Sequence, residues 1–422
     1  MSAPPALSRV DSFFHVTERG STPLRELRGG VVTFFTMAYI VVLNPIILGG
    51  TPGNPLNADI AGNVLPMAAV AAVTALVAGV MCLVFGVVAN YPFAFAAGLG
   101  INSLLAVSVT TQVTWPQAMG LVVLNGVIIV VLAVTGFRTA VFNAVPAELK
   151  AAIAAGIGAF IAFIGFVDSG FVKRVPDAAH TTVPVQLGDS GSINTWPVFV
   201  FAIGLLIMGV LTVRKVAGGL LIGIVITTVL AIIIEAVAKP GDWALNTPKL
   251  PDSIGGLPDL SLVGNVDLFG AFSEHGTPAH VISAPAIGAT ILLFTIVLSN
   301  FFDAMGTMTG LGKEAGLADE NGTLPDIGKA LAVEGTGAIA GGLGSASSST
   351  VFVESASGIA EGARTGLANI VTGVLFLAAM FFTPLYKVVP LEAVAPALVV
   401  VGALMIGQIR TIDFTQIGRA HV

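Results

Sequence analysis

Apolar runs of membrane-spanning length dominate this chain. A helix that crosses the hydrocarbon core needs about 20 mostly apolar residues. Such runs lie near 27–48, 64–88, 116–136, 147–167, 195–213, 217–238, 282–311, 330–344, 366–386 and 391–408, and two abnormally short ones lie at 98–110 and 354–361. Backbone N–H and C=O groups find no water inside a bilayer, so runs of this kind must pair their polar groups internally as helices. The expected fold class is an all-α polytopic membrane protein of twelve visible spans. Composition agrees: only 10% of residues are charged, against roughly 25% in a soluble domain.

Several function classes drop out. The formal charge of −6 offers no basic footprint for nucleic acid, and the lone Cys82 allows neither a disulfide nor a thiolate metal cluster. His15, His180, His275 and His280 show no metal-ligand spacing. No nucleophile triad or phosphate loop is present, so neither an enzyme nor a cofactor is expected. Gly335–Gly342 has a faint nucleotide-fingerprint look, but it lies in a span and reads as tight helix packing. The polar N-terminus lacks a signal-peptide pattern. With that end cytoplasmic, inner segments carry twelve Lys and Arg and outer loops five, as the positive-inside rule requires. The loops 168–194 and 239–281 are then external, solvated connections. Glu148 and Glu235 stand near span ends, where snorkelling is the default, and the Asn321 sequon falls on the cytoplasmic side and is idle.

Two acids stand where a membrane chain should have none. Asp303 lies in the run 291–312, and Glu354 follows the small-residue stretch 345–353. Intramembrane acids are costly and face a cavity or a partner, which makes them site candidates. Glu334, in the span at 330–344, reads instead as a helix-end or interhelical hydrogen-bonding residue.

The two short spans share a design. Phe93–Ala96 and Ser349–Val353 read as extended runs, and each leads into a short helix of small residues. As third and tenth spans they sit seven apart, an odd offset that reverses their orientation in the membrane. That is the mark of an inverted repeat whose interrupted helices meet at a midplane binding site. Extended backbone at membrane depth must be paired by protein or line a cavity, and the two runs can pair with each other. Glu354 stands at the start of the second short helix, where a carboxylate is favoured.

Three segments, FFTMAYIVVLNP at 34–45, FFDAMGT at 301–307 and SSTVFVESASGIAEGARTGL at 348–367, resemble the nucleobase–cation symporter family 2 of the xanthine/uracil permease superfamily. Within it the chain is most similar to the AzgA-like hypoxanthine–guanine–adenine permease branch. The resemblance spans about residues 10–413. It implies a fourteen-span fold of two inverted seven-span repeats, with short strands in spans 3 and 10. The implied organisation is a cytoplasmic N-terminus (1–26), a core domain from 27–136 and 282–386, a gate domain from 147–238 and 391–416, and an extracytoplasmic loop (239–281). It further implies that Asp303 contacts the base and couples proton movement, and that Glu354 hydrogen-bonds the ring and shares that coupling. Asn102, Phe93, Phe95 and Val353 join the implied substrate site, without a choice between the two rings. Thr307 stands where the uracil branch carries a histidine, which argues against a uracil carrier.

The expected function is import of hypoxanthine, guanine or adenine across the inner (plasma) membrane by proton symport, with sodium as the lesser alternative and a homodimer possible. The chemistry agrees: a purine ring edge presents donors that a carboxylate can accept. The alternatives are a carrier of xanthine, urate or uracil, an ion channel, or an inactive fragment. The last of these arises at the C-terminus. Residues 417–422 (IGRAHV) back-translate to the start of a sequencing adapter, so genuine sequence is expected to end near Gln416 with spans 13 and 14 missing.

Overall fold

The computed structural model of the chain describes residues 5–50, 57–144, 147–175, 185–189, 191–244, 246–251, 253–273, 285–318 and 324–411. The expected tail at 417–422 and the sequon at 321–323 lie outside them. Seven described helices are long and apolar enough to cross a membrane, and three shorter apolar helices accompany them. The chain divides into two units, one of residues 1–150 and 257–383, the other of residues 151–256 and 384–422.

The first unit begins with α1 (Pro5–Phe14) and α2 (Pro23–Met37). Thr22 caps α2 by accepting from the Arg25 N–H, and Pro23 opens the helix with its ready-made φ. The run expected as one span at 27–48 is the single span Pro23–Leu48, with a two-residue turn at Ala38 and Tyr39 dividing α2 from α3 (Ile40–Leu48). Tight bonds from Val41 N–H to Ala38 O and from Val42 N–H to Tyr39 O make the joint, and Pro45 removes a helical donor from α3. A two-residue parallel pair, β1 (Gly49–Gly50) with β2 (Leu65–Pro66), leads into α4 (Met67–Val88).

Asn90, in the left-handed conformation at φ 53°, turns the chain out of α4. Strand β3 (Phe95–Ala97) then leads to the six-residue α5 (Leu99–Leu104), which widens into a π-helical turn over Leu105–Val109. Helix α6 (Trp115–Val134) starts in a capping box made by Thr114 and Gln117, and the short α7 (Phe137–Ala144) follows.

The second unit takes most of α8 (Ala147–Asp168), then the antiparallel pair β4 (Val172–Arg174) and β5 (Val185–Leu187), α9 (Trp196–Val213) and α10 (Gly219–Ala238). The chain re-enters the first unit for α11 (Pro285–Glu314), α12 (Ile327–Leu343), β6 (Ser349–Val351), α13 (Ser355–Ala360) and α14 (Gly366–Ala379). Pro384 lies in the 3-10 turn that extends α14 to Val388, and α15 (Leu391–Ile406) returns to the second unit.

The internal repeat is visible in the packing. Helix α4 lies along α14, and α12 lies along α6. Both seams depend on glycine. A Cβ at Gly373 would come 2.8 Å from the Gly79 carbonyl oxygen, and one at Gly342 would come 2.9 Å from that of Met119. Such close backbone approach is how membrane helices gain dispersion contact without a hydrophobic driving force. A buried acid ties down the start of α6 and of α14, the fourth span of each half. Asp59 accepts from Trp115 N–H at α6 (2.9 Å), and Glu26 accepts from Arg364 N–H (2.8 Å) and Thr365 N–H (3.3 Å) at α14.

The described residues of the loops 168–194 and 239–281 include local structure. Strands β4 and β5 pair antiparallel in the register Val172↔Leu187, Lys173↔Gln186 and Arg174↔Val185. Leu262 and Ala271 are buried in the first unit, where Gly264 N–H donates to Leu343 O (2.7 Å) and Asp267 N–H to Pro116 O (2.9 Å).

Candidate substrate site at the paired broken helices

Strands β3 and β6 pair antiparallel in the register Phe95↔Val351, Ala96↔Thr350 and Ala97↔Ser349. Beyond the strands, Gly98 N–H donates to Ser348 O (2.8 Å) and Phe352 N–H to Ala94 O (3.0 Å). Ala94 N–H reaches Ser355 Oγ at 3.0 Å, while Asn369 Nδ2 donates to Phe93 O. The extended backbone is therefore satisfied by protein, as a bilayer interior requires. The expected pairing of the two runs is found, with strands shorter than the extended stretches read in the sequence.

Asp303, on α11, stands beside this junction. The Cβ position of Gly98 lies 3.9 Å from Asp303 Oδ2 and 3.0 Å from Thr350 Cγ2. Any side chain at Gly98 would crowd the space next to the carboxylate. No described residue donates a hydrogen bond to that carboxylate, and Glu334 is near enough for the two acids to interact electrostatically.

Glu354 occupies the N-cap of α13, yet its side chain does not cap the helix. Instead Oε1 accepts from Tyr39 Oη at 2.6 Å, and Thr36 Oγ1 donates to the Glu354 carbonyl at 3.4 Å. Tyr39, at the turn between α2 and α3, is fully buried with its hydroxyl on the acid.

Asn102, one turn into α5, is wholly buried, and its Nδ2 donates to Asn44 Oδ1 at 2.5 Å. Thr307 turns its hydroxyl back onto the Asp303 carbonyl (3.2 Å), so that group is spent on its own helix. Val353 is 42% exposed just past β6.

The rings of Phe93 and Phe95 lie among other aromatic side chains. Both are 0% exposed. Phe93 stacks on Tyr91 at 4.9 Å, and Phe95 packs on Phe85 at 4.6 Å. Residues two apart on an extended chain point to one side, and here that side is the aromatic core against α4. These positions therefore present their backbone to the strand pair and bury their rings behind it.

The structure adds residues that sequence reading passed over. Asn300, one turn before Asp303, accepts from Ser348 Oγ (3.3 Å), and its Nδ2 has no partner among the described residues. Asn102 Oδ1, Ser103 Oγ, Ser347 Oγ, Ser349 Oγ and Thr350 Oγ1 are also buried without partners. Each such group costs about 1–3 kcal/mol when left unmade, and several of them lie in or beside the strand pair. Arg138, one of the twelve Lys and Arg counted to the inner segments, is fully buried. It pairs with Glu334, donates to Leu331 O (3.1 Å) and lies 5.4 Å from the Phe301 ring centroid. The interhelical bond expected of Glu334 is this one.

Paired broken helices within a polytopic helical membrane fold, with unpaired polar groups at their junction, define the class: a membrane transporter of the inverted-repeat type. Residues 24–421 match the permease family Xan_ur_permease, and the chain belongs to that family, the nucleobase–cation symporter family 2. The chain is 36% identical over 399 residues to the guanine/hypoxanthine permease PbuG of Bacillus subtilis, covering 94% of this chain and 83% of that protein. It is 33% identical to the adenine permease AdeQ of Escherichia coli (97% and 83% covered) and 34% identical to the guanine/hypoxanthine permease GhxP of Escherichia coli O157:H7 (98% and 85%). Among solved structures it shares its fold with the transmembrane domain of the cyanobacterial bicarbonate transporter BicA, at TM-score 0.61, 17% identity and coverage of 94% and 90%. The murine anion transporter Slc26a9 in its inward-facing state gives TM-score 0.57 at 10% identity, covering 94% and 62%.

Proposed function

We propose that this chain carries purine nucleobases across the membrane, coupled to protons, and that the base binds at the β3–β6 junction. The observation that carries the reading is the junction itself. Asp303 abuts Gly98, Glu354 stands on Tyr39, and buried Asn102 and Asn300 side-chain atoms wait without partners. A neutral heteroaromatic ring rich in N–H and C=O groups can satisfy all of these at once. An anion would meet two carboxylates, so the likeness to bicarbonate and anion transporters extends to the fold alone.

In this reading Asp303 and Glu354 accept ring donors when ionised. A carboxyl that takes up and releases its proton as the site closes and opens would tie proton movement to base movement. Asn102 reads the ring edge, and the backbone at Phe93 and Phe95 shapes the cradle. The unit of residues 1–150 and 257–383 is the substrate-bearing core. The unit of residues 151–256 and 384–422 is the gate. The protein would act in the plasma membrane with its N-terminus in the cytoplasm.

The test is radiolabelled hypoxanthine uptake in cells expressing the chain, with and without a proton uncoupler and with sodium replaced. Saturable uptake that adenine and guanine compete for, lost with the uncoupler and indifferent to sodium, is the expected result. Uptake that survives the uncoupler but needs sodium would replace the proton. No uptake of any purine at good membrane abundance would overturn the substrate class.

A further inference from the structure

An amide side chain can be turned either way, so its chemistry depends on what fixes it. Around Asn102 two backbone carbonyls do the fixing. Thr74 Oγ1 donates to Val70 O at 2.6 Å, which uses its only proton. Its oxygen can then only accept, and it takes Asn44 Nδ2 at 2.8 Å. The same Nδ2 donates to Ala346 O at 3.2 Å, a group that can never donate. Asn44 must therefore turn Oδ1 toward Asn102, and Asn102 must answer with Nδ2 at 2.5 Å. What remains is Asn102 Oδ1, an acceptor with no partner among the described residues, on a side chain that is 0% exposed. It lies one turn past Gly98, the residue against which the Asp303 carboxylate stands.

We propose that Asn44 and Thr74 are positioning residues that set substrate specificity: they hold Asn102 as a hydrogen-bond acceptor, so that the site selects bases with an N–H at the edge Asn102 meets. This rests on the purine reading above. The relay runs α4 to α3 to α5, with Ala346 before β6 closing it, so residues from both repeats fix one atom. Reversing the amides would set the Asn44 oxygen against the Ala346 carbonyl oxygen, two acceptors face to face in a dry interior. The relay thereby turns an ambivalent side chain into a one-way reader.

The experiment measures inhibition of hypoxanthine uptake by its 1-, 7- and 9-methyl derivatives, each lacking a donor or blocking one ring nitrogen. In the wild type, methylation at the edge Asn102 reads should weaken inhibition about ten-fold or more, the cost of a buried acceptor left unpaired. In Asn44→Leu, which frees the Asn102 amide to turn, that penalty should shrink to about two-fold while the other two stay as they were. Thr74→Val should move the same penalty in the same direction, and Thr74→Ser, which keeps the hydroxyl, should restore it. These substitutions leave the fold small adjustments to make, so if Asn44→Leu fails to reach the membrane, the Thr74→Val and Thr74→Ser pair decides. An unchanged ranking of the three derivatives in variants that transport hypoxanthine overturns the relay. A uniform loss at all three positions, marking a merely structural role, also overturns it. A wild type that takes up no purine overturns the functional reading itself.

Discussion

The two broken segments share a backbone plan and differ in chemistry. Segment β3–α5 offers a neutral amide, Asn102, fixed by its own repeat and by Ala346. Segment β6–α13 offers an acid, Glu354, held by Tyr39 of the other repeat. The helices behind them diverge in the same sense. Helix α4 has no charged residue, whereas α12 buries Glu334 against Arg138; the first span is divided at Ala38 and Tyr39 into α2 and α3, whereas α11 runs unbroken through Asp303. Symmetry supplies a scaffold that pairs two strands. The acids are concentrated in the second repeat, so under the proposed function the proton chemistry falls to one half while the other positions the base.

That division can be broken by experiment. The largest expected effect is Asp303→Asn, which should abolish accumulation of hypoxanthine with membrane abundance intact; robust uptake would take the second repeat's acid out of the mechanism. Next comes Arg138→Leu, which strands a buried Glu334 carboxylate. Breaking a buried pair costs about 3–5 kcal/mol, so the variant should lose most of its thermal stability in detergent, and Arg138→Leu combined with Glu334→Leu should recover much of it. No recovery in the double variant would mean that the pair's charges are needed for something beyond each other.

Glu354→Ala should weaken purine affinity by about 1–3 kcal/mol, since ring donors lose their acceptor in a dry site. Unchanged inhibition constants would remove Glu354 from recognition. Tyr39→Phe is the gentlest probe. It deletes one hydroxyl bonded to the acid and should raise KM several-fold, about 1 kcal/mol, with little change in maximal rate. An effect as large as that of Glu354→Ala would sharpen the comparison by making Tyr39 an equal partner.

Much of the scaffold was legible because it follows from local pattern. Apolar runs gave the helices, and two small-residue runs at membrane depth had to pair, as Phe95–Ala97 and Ser349–Val351 do. Asp303 and Glu354 announced themselves as charges without water. What stayed hidden depends on direction and distance. Tyr39 and Asn44 lie in an apolar span far in sequence from Glu354 and Asn102, and only the fold brings them together. Arg138 counted among the Lys and Arg of the inner segments, and the fold buries it. Phe93 and Phe95 looked available, but strand alternation sends both rings to the side of Phe85.

The strand pair also sets a timetable. Residues 95–97 have their hydrogen-bond partners at 349–351, so a ribosome delivering this chain to the membrane has to make nearly all of the first unit before the pair can close. Until then the first broken segment holds open amide and carbonyl groups that lipid cannot satisfy. It must wait shielded by its neighbours or by the insertion machinery. The strand junction thus forms late in the making of the first unit, with only α13 and α14 still to follow, and a nascent chain stalled short of β6 would have membrane helices but no paired strands.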